Sequence, residues 1–343
     1  MHEQDLARLW VLAPVVIVSL CVSLILIVLL RPWLARHALA HPNARSSHKE
    51  ATPQGGGMAV ITAALSIGWG AIILTPGLAQ EQSAQLLALT AGMILLAAIG
   101  AFDDIRSVQA APRLALQCVA VGAIVAVLPA DLHVLPHLPR WLERSCLFIG
   151  GLWFVNLVNF MDGIDWMTVA EFVPTAGSIV VLGVAGKVDF ATTLLAAALL
   201  GAVAGFAPFN KPVARLFLGD VGSLPMGLLL GWLLLQLAAN GHLAAALILP
   251  LYYLADASIT LMRRIVRGDN ITQAHRSHFY QLATARGLSV MAVVSRVFAV
   301  NIALAMLAAA SIWQGSVAVD IAALVLGGAV VAILLATMAR GRR

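Results

Sequence analysis

The chain has 343 residues, of which 61% are hydrophobic and 11% are charged, and its net charge is +5. This composition excludes a soluble domain, because charged residues normally make up about a quarter of one. Apolar runs long enough to cross a bilayer also exclude a β-barrel, whose strands are short and alternate in polarity. The sequence therefore predicts an all-α, polytopic integral membrane protein.

The apolar runs predict eleven transmembrane spans in one domain that covers residues 1–343. The spans lie at about 9–30, 57–76, 84–102, 114–130, 145–160, 169–186, 191–208, 222–239, 243–262, 290–312 and 317–338. The first eight residues lack a basic stretch and a cleavage site, so no removable signal peptide is expected.

Five polar loops follow the odd-numbered spans, at about 31–56, 103–113, 161–168, 209–221 and 263–289. Together with the C-terminus they carry sixteen of the 21 Lys and Arg residues. The positive-inside rule therefore predicts that these loops and the C-terminus are cytoplasmic and that the N-terminus is periplasmic. The positive charge indicates orientation and contact with anionic membrane lipid, and we expect no nucleic-acid partner.

The first two polar loops contain a basic, glycine-rich stretch and a pair of acids. The stretch from His41 to Gly57 includes Lys49 and is able to cradle an anion, although it is a weak signal alone. Asp103 and Asp104 directly follow the third span. Adjacent carboxylates repel each other and are stabilised by a cation or a proton between them. A metal site, a base and two solvated acids are the alternatives.

The third loop combines amides and acids at a helix end. Asn156, Asn159 and Asp162 share one helix face at three-residue spacing. Gly163 allows the chain to change direction before Asp165. Because amides and acids are costly next to lipid, we expect these side chains to line a polar cleft. Helix capping and turn formation are the alternative.

The fourth loop, Phe217–Ser223, places Asp220 between two glycines. Asp220 either caps the next helix or binds Mg²⁺, which takes one or two carboxylates together with phosphates. The glycines, Gly219 and Gly222, allow the backbone to approach a phosphate.

The fifth loop contains His275, Arg276 and His278 among further arginines. It suits a phosphate clamp or, alternatively, contact with lipid headgroups. Asp256, inside the ninth span, is either functional or pairs with Arg263 or a polar neighbour for packing.

In this order the motifs resemble the polyprenyl-phosphate N-acetylhexosamine-1-phosphate transferases, the MraY/WecA-like glycosyltransferase family 4, over nearly the whole chain. The segments that match are 42–48, 53–56, 103–104, 159–165 and 217–223. In the last loop Arg276 and His278 match, and the remainder is similar to the WbpL-like subgroup that initiates O-antigen synthesis. Trp166 departs from the family, which commonly has glycine there, so the turn or the nucleotide pocket is expected to differ.

The resemblance implies transfer of a sugar 1-phosphate from a UDP-N-acetylhexosamine to undecaprenyl phosphate with release of UMP. It implies initiation of O-antigen or related envelope polysaccharide at the cytoplasmic face of the bacterial inner membrane. The donor sugar remains open among QuiNAc, FucNAc, GalNAc and GlcNAc, and a homodimer is compatible with the resemblance.

The resemblance also assigns roles to individual residues. Asp220 binds Mg²⁺, or Mn²⁺ in its place. The catalytic group consists of Asp103 near the lipid phosphate, Asp104 in support of it, and Asp162 and Asp165 at the nucleotide–metal site. The groups that bind substrate are Asn159 in that site, Phe217 stacked on uracil, Lys49 on the nucleotide, and His275, Arg276 and His278 on the diphosphate or sugar.

Direct attack by the lipid phosphate is favoured over a covalent aspartyl intermediate. Two other functional classes make different demands. An intramembrane aspartyl protease needs two facing carboxylates, here Asp220 with Asp162 or Asp256. A transporter of anionic solutes needs charges near the span centres on a path that reaches both faces.

Overall fold

A computed structural model describes residues 3–40, 51–78, 83–270 and 275–341 of the chain. Thirteen α-helices and one two-stranded antiparallel sheet lie in these ranges. The elements in chain order are α1 (Glu3–His37), β1 (Leu39–Ala40), β2 (Thr52–Pro53), α2 (Gly57–Leu74), α3 (Ser83–Ile105), α4 (Ala110–Ala126), α5 (Arg140–Met161), α6 (Met167–Val184), α7 (Phe190–Asn210), α8 (Asp220–Ala239), α9 (Leu243–Ile248), α10 (Leu251–Val266), α11 (Phe279–Ala285), α12 (Val290–Gln314) and α13 (Val317–Arg340).

Each predicted span coincides with helical structure. In the described ranges nine helices are long and apolar enough to cross a membrane. The fourth predicted span is α4, a shorter apolar helix of 17 residues. The ninth is not one continuous helix, because the chain breaks at Pro250 between α9 and α10. The all-α, polytopic membrane architecture is confirmed, while the number of crossings and the orientation of the termini stay predictions.

Helices α7 and α8 form the centre of the bundle. In their most apolar windows 78% and 89% of the residues are buried, which explains why both helices are hydrophobic on all sides. Helices α1, α2 and α6 pack against α7, and α2, α3 and α5 pack against α8. Helix α12 packs between α6 and α13 at the edge of the bundle. The inner helices therefore fix the positions at which the outer helices end.

Small residues let α1 approach α7 closely. A Cβ on Gly201 would lie 2.2 Å from the backbone oxygen of Val16. Nearby, the Ser19 hydroxyl donates to the Ala198 carbonyl oxygen at 2.6 Å. In a membrane the hydrophobic effect does not drive helices together, because lipid tails are as apolar as the side chains. Close backbone contact and interhelical hydrogen bonds of this kind hold the helices together instead.

The start of α8 is held equally closely. A Cβ on Gly57 would lie 2.2 Å from the Cα of Gly222, and a Cβ on Gly100 would lie 2.3 Å from the Asp220 carbonyl oxygen. Gly222 therefore serves contact between α2 and α8. Its predicted use in approaching a phosphate stays a prediction, although Gly57 lies against the side where a Cβ would stand.

The small sheet lies in the loop after α1, and a bridge from its end connects it to the loop before α8. Leu39 pairs with Pro53, and Gln54 forms a parallel bridge with Phe217. The amide of Gly56 donates to the Phe217 carbonyl oxygen at 2.9 Å, and Gly57 donates to Leu218 at 2.8 Å. These two amides are therefore engaged and do not cradle an anion. Residues 41–50 of the predicted basic loop, with Lys49 and the motif 42–48, lie outside the described residues.

Candidate active site

Two acids from different helices share one arginine at the same end of the bundle. Asp103, near the end of α3, and Asp220, at the start of α8, both contact Arg113 in the first turn of α4. The Arg113 Nη1 atom lies 2.8 Å from Asp103 Oδ2 and 3.2 Å from Asp220 Oδ2. The three side chains are 13–27% exposed, so the cluster is open to a ligand. The resemblance gives both acids a role in one reaction, and the fold brings them together.

Arg113 is not among the residues predicted from the sequence, where it counts only as one more positive charge near the membrane. Its signal is positional. It stands ten residues after the acid pair and just inside the next apolar helix, so it lies at the same boundary as the acids. The remaining Asp103 oxygen accepts a hydrogen bond from the backbone of Val108 at 2.6 Å.

Asp104 points away from Asp103 and caps α8 from outside that helix. Its two carboxylate oxygens accept from the backbone amides of Asp220 and Val221, at 2.9 and 3.1 Å. The predicted cation or proton between the neighbouring acids is therefore wrong, because successive side chains on a helix point about 100° apart. The predicted cap by Asp220 is also wrong, since Asp104 supplies the capping carboxylate.

Gly219 is needed at this cap for two reasons. Its φ is +78°, in the left-handed region that favours glycine, and a Cβ there would lie 2.4 Å from Asp104 Oδ2. The glycine before Asp220 thus lets the Asp104 carboxylate reach the helix start, which fixes the direction of Asp220.

Asn159 joins the cluster from the end of α5. Its Nδ2 donates to Asp220 Oδ1 at 2.8 Å and to the Ser223 hydroxyl at 2.9 Å. Asn156, predicted on the same face, instead donates to Gln117 Oε1 in α4 at 2.7 Å. Asn159 therefore orients the Asp220 carboxylate, while Asn156 joins α5 to α4. Ser223, which orients the Asn159 amide, was part of the predicted motif without a role of its own.

Asp162 and Asp165 lie in the turn after α5. The Thr168 hydroxyl donates to Asp162 Oδ1. Burial raises the pKa of Asp162 to about 7, against the lowering effect of the Thr168 bond and with help from the charges of Asp104 and Asp165. Asp165 is 5% exposed and accepts from the Ala214 amide at 2.9 Å, so it supports the loop before α8.

The raised pKa of Asp162 predicts a pH-dependent stability. Below the ordinary value of 3.8 the folded and unfolded states are both protonated, and the stability contribution is fully present. It is lost as the pH rises from there to about 7, because the unfolded state ionises first while the folded state still keeps its proton. Asp162→Asn removes this loss and keeps an acceptor for Thr168. The melting temperature of the variant minus that of the wild type should therefore grow between about pH 5 and about pH 8.5.

The expected growth is a few degrees, since 1 kcal/mol corresponds to about 2–4 °C in domains of 150–250 residues. Thermal unfolding of the two proteins in the same detergent measures it. A difference that is constant or shrinks as the pH rises contradicts the assignment.

Trp166 closes the acid turn in an unusual conformation. Its φ is +62°, and among the described residues it is the non-glycine residue with positive φ. Its backbone amide donates to Asn210 Oδ1 at 2.8 Å, and its indole Nε1 donates to the Ala207 carbonyl oxygen at 2.7 Å. The tryptophan thus adopts the backbone conformation that glycine adopts freely, and its ring attaches the turn to the end of α7.

The His/Arg loop lies beside this turn. His278 is 3% exposed, with Nδ1 3.2 Å from Asp256 Oδ1. The His275 ring stacks on His278 with centroids 5.0 Å apart, and His275, Arg276 and Ser277 are partly exposed. The suggested pairing of Asp256 with Arg263 is wrong, because the Arg263 guanidinium lies over the ring of Phe279 in α11. Phe217, partly buried, lies at the bridge to Gln54.

The donor set fits a divalent cation that arrives with a phosphate ligand. In the described ranges no group of three or more acids, histidines or cysteines is arranged to hold a metal ion. Mg²⁺ needs no such cage, since it takes one or two carboxylates and completes its shell with phosphates and water. Asp220 is part-exposed and already contacts a cationic group, so it fits the role of that carboxylate.

Comparison with known proteins matches this chain to one family. The family model for glycosyl transferase family 4 matches residues 86–238. The match contains the acid pair, the turn after α5 and Asp220, which are the parts that the fold brings together.

Curated relatives extend the match along the chain. A probable undecaprenyl-phosphate N-acetylglucosaminyl 1-phosphate transferase of Bacillus subtilis (strain 168) is 26% identical over 87% of this chain and 86% of its own length. A decaprenyl-phosphate N-acetylglucosaminephosphotransferase of Mycolicibacterium smegmatis is 29% identical over 57% of this chain and 52% of its own length. A phospho-N-acetylmuramoyl-pentapeptide-transferase of Streptococcus pyogenes serotype M12 (strain MGAS2096) is 31% identical over 63% of this chain and 67% of its own length. The chain therefore belongs to glycosyl transferase family 4, the polyprenyl-phosphate hexosamine-1-phosphate transferases.

Proposed function

We propose that this protein transfers an N-acetylhexosamine 1-phosphate from a UDP-sugar to undecaprenyl phosphate and releases UMP. The observation that carries the proposal is the cluster of Asp103, Arg113, Asn159 and Asp220, which joins four helices at one end of the bundle. The relative from B. subtilis, named for an undecaprenyl-phosphate transferase, supports the choice of acceptor.

The reaction joins two anionic molecules. An oxygen of the lipid phosphate attacks the β-phosphorus of the UDP-sugar, and the bond from that phosphorus to the oxygen bridging it to the α-phosphorus breaks. The electron pair leaves with UMP, and the product is a lipid diphosphate sugar. Because both reactants are negative, catalysis depends on positioning and on neutralising charge.

Each residue of the cluster has a role in this scheme. Bound Mg²⁺, or Mn²⁺, would supply positive charge to the diphosphate and stabilise charge on the transferring phosphoryl group. Asp220 would hold it, Asn159 keeps the Asp220 carboxylate oriented, and Asp104 keeps the start of α8 in place. Arg113 is placed to contact a phosphate oxygen of a bound substrate, which would compete with Asp103 and Asp220 for the guanidinium.

Direct attack by the lipid phosphate fits the contacts of Asp103. Both of its carboxylate oxygens accept hydrogen bonds, from Arg113 and from the Val108 amide. A carboxylate engaged in this way is a poor nucleophile, so it suits a positioning role for the acceptor better than formation of an aspartyl intermediate.

An apolar cavity supports a long-chain acceptor. It has a volume of about 280 Å³ and lies between α4, α5, α8, α9 and α10. Val121, Phe154, Gly231, Trp232 and Leu247 are among its lining residues. Because α4 and α5 also carry Arg113 and Asn159, a polyprenyl tail in the cavity would have its phosphate directed to the cluster.

The cellular setting is part of the proposal. We place the site at the cytoplasmic face of the bacterial inner membrane, because the loops at this end carry most of the Lys and Arg residues. The sequence of the His/Arg loop supports initiation of O-antigen or a related envelope polysaccharide.

The two other functional classes receive no support from the geometry. For an aspartyl protease, Asp162 or Asp256 would have to face Asp220. Asp162 is instead bonded to Thr168, and Asp256 to the His/Arg loop. For a transporter, the acids would have to lie along a path through the bundle, whereas those of the cluster lie at helix ends.

The test is UMP release by the purified protein with undecaprenyl phosphate and four donors, the UDP forms of QuiNAc, FucNAc, GalNAc and GlcNAc. At least one donor should give UMP in amounts that depend on the lipid phosphate and that fall when a chelator removes Mg²⁺. If a folded preparation releases no lipid-dependent UMP with any of the donors, the proposed function is wrong.

A further inference from the structure

We propose that Asp256 is a positioning residue of this enzyme. It holds the His275–His278 loop, which is the segment of those four residues, in position beside the acid turn after α5. This role rests on the proposed function. The Asp256 carboxylate accepts hydrogen bonds from α10, α11 and the His275–His278 loop, and it lies outside the catalytic cluster of Asp103, Arg113, Asn159 and Asp220.

The Asp256 carboxylate is fully buried in α10 and is surrounded by donors. Its Oδ1 atom lies 3.2 Å from His278 Nδ1 and 3.0 Å from the Phe279 amide. Its Oδ2 atom accepts from the Tyr280 amide at 3.3 Å. Two hydroxyls, of Tyr252 and Thr260, complete the set at 3.3 Å each. One acid thus holds both an imidazole ring and the start of α11.

Through His278, Asp256 also affects the partly exposed residues of the loop. Since an ionised carboxylate only accepts, the pair is satisfied when Nδ1 of His278 carries the proton. The His278 ring is stacked between His275 and Tyr280, at 5.0 and 5.7 Å between centroids. Asp256 therefore acts through the buried His278 on the position of His275 and, next to it, Arg276.

Through Tyr280 in α11, Asp256 also contacts the acid turn indirectly. The Tyr280 hydroxyl donates to the Phe160 carbonyl oxygen at 2.9 Å, at the end of α5. A Cβ on Gly163 would lie 2.1 Å from the same hydroxyl. Gly163 is therefore required by the close approach of Tyr280, and the φ angle of Gly163 is not in the positive range. Through this contact the loop lies beside Asn159 and Asp162.

The chain offers a matched control at the opposite end of α5. The Glu143 carboxylate is also fully buried, and it binds a histidine ring and two backbone amides. His133 Nδ1 lies at 2.9 Å, and the amides of Val134 and Leu135 donate at 2.6 and 2.8 Å. Glu143 precedes Asn159 by sixteen residues, or about 24 Å of helix, so it shares the types of partner that Asp256 has without its location.

The experiment compares Asp256→Asn with Glu143→Gln in the full-length protein. Hydrogen exchange of α11 should accelerate at least tenfold in Asp256→Asn and remain as in the wild type in Glu143→Gln. With the active donor, Asp256→Asn should lower kcat/KM for the UDP-sugar about tenfold to a hundredfold, because the substitution weakens the charge-assisted hydrogen bonds that hold the loop. Glu143→Gln should stay within about twofold of the wild type.

A double variant separates positioning from general destabilisation. If Asp256 acts through the loop, His278→Asn should cost much less in Asp256→Asn than in the wild type, because neighbours in one network are not additive. Additive losses, or equal losses of kcat/KM in Asp256→Asn and Glu143→Gln, overturn the proposal. A wild type without UMP release overturns the proposed function instead, and α11 exchange unchanged by Asp256→Asn overturns the anchoring contact without reference to activity.

Discussion

Asp220→Asn is expected to reduce UMP release by at least roughly 10²–10³-fold, the usual cost of losing one electrostatic contact to a transition state. Asparagine has nearly the same shape and still offers an oxygen to Asn159, which holds Asp220 Oδ1 at 2.8 Å. It loses the negative charge that contacts Arg113 and that we assign to the divalent cation. Initial rates of UMP release at saturating donor and lipid phosphate measure the effect.

Asp189→Asn is the matched control for this substitution. Asp189 also stands at the start of a helix, where it caps α7 by accepting from the Thr192 amide at 2.9 Å. Asparagine caps helices as well as aspartate does, so activity should remain within about twofold. A rate for Asp220→Asn equal to that of Asp189→Asn would show that the charge of Asp220 is not used in catalysis.

Arg113→Met is expected to lower UMP release by roughly 10²-fold or more, by the same electrostatic reasoning. The variant keeps an unbranched side chain but leaves Asp103 and Asp220 without the guanidinium that now contacts both. Arg113→Lys should retain more activity, because it restores a point charge without the planar fork that binds two partners. Rates at several Mg²⁺ concentrations measure both variants.

Arg106→Met serves as the control for the removal of positive charge. Arg106 lies in the same loop, three residues after Asp103, and is exposed. Its replacement changes the net charge equally and should leave the rate near that of the wild type. Equal losses in Arg106→Met and Arg113→Met would assign the effect to overall charge and not to the ion pair with the two acids.

The membrane fold was predictable because its signal is long and local. A span needs only about 20 apolar residues, so each helix can be read without its neighbours. The break at Pro250 is a local exception that the apolar run 243–262 conceals, since proline has no amide hydrogen to continue the helix. Which helices form the centre depends on packing, and the apolar runs alone do not rank α7 and α8 above the others.

The site was predictable at the level of motifs and not at the level of contacts. Asp103, Asn159 and Asp220 converge because their loops follow predicted spans at the same end. The direction of Asp104 depends on the start of α8, more than a hundred residues away in sequence. The role of Arg113 depends likewise on two distant partners. Such contacts are properties of the folded bundle.

Trp166 shows the same limit from the side of the backbone. The departure from the common glycine marks the position as unusual, but it does not reveal the conformation. The structure keeps the left-handed backbone that glycine would adopt and compensates with the bond from the indole to the Ala207 carbonyl oxygen. A side chain that is unfavourable by local preference is thus retained by a tertiary contact.

The most direct test follows the phosphorus atoms of the donor. A UDP-N-acetylhexosamine radiolabelled at the β-phosphorus is incubated with the purified protein and undecaprenyl phosphate, and the label is measured in the organic and aqueous phases. Transfer of a sugar 1-phosphate predicts that the label enters the lipid while unlabelled UMP appears in equal amount. Label that stays in the aqueous phase as UDP, while sugar enters the lipid, would contradict the account.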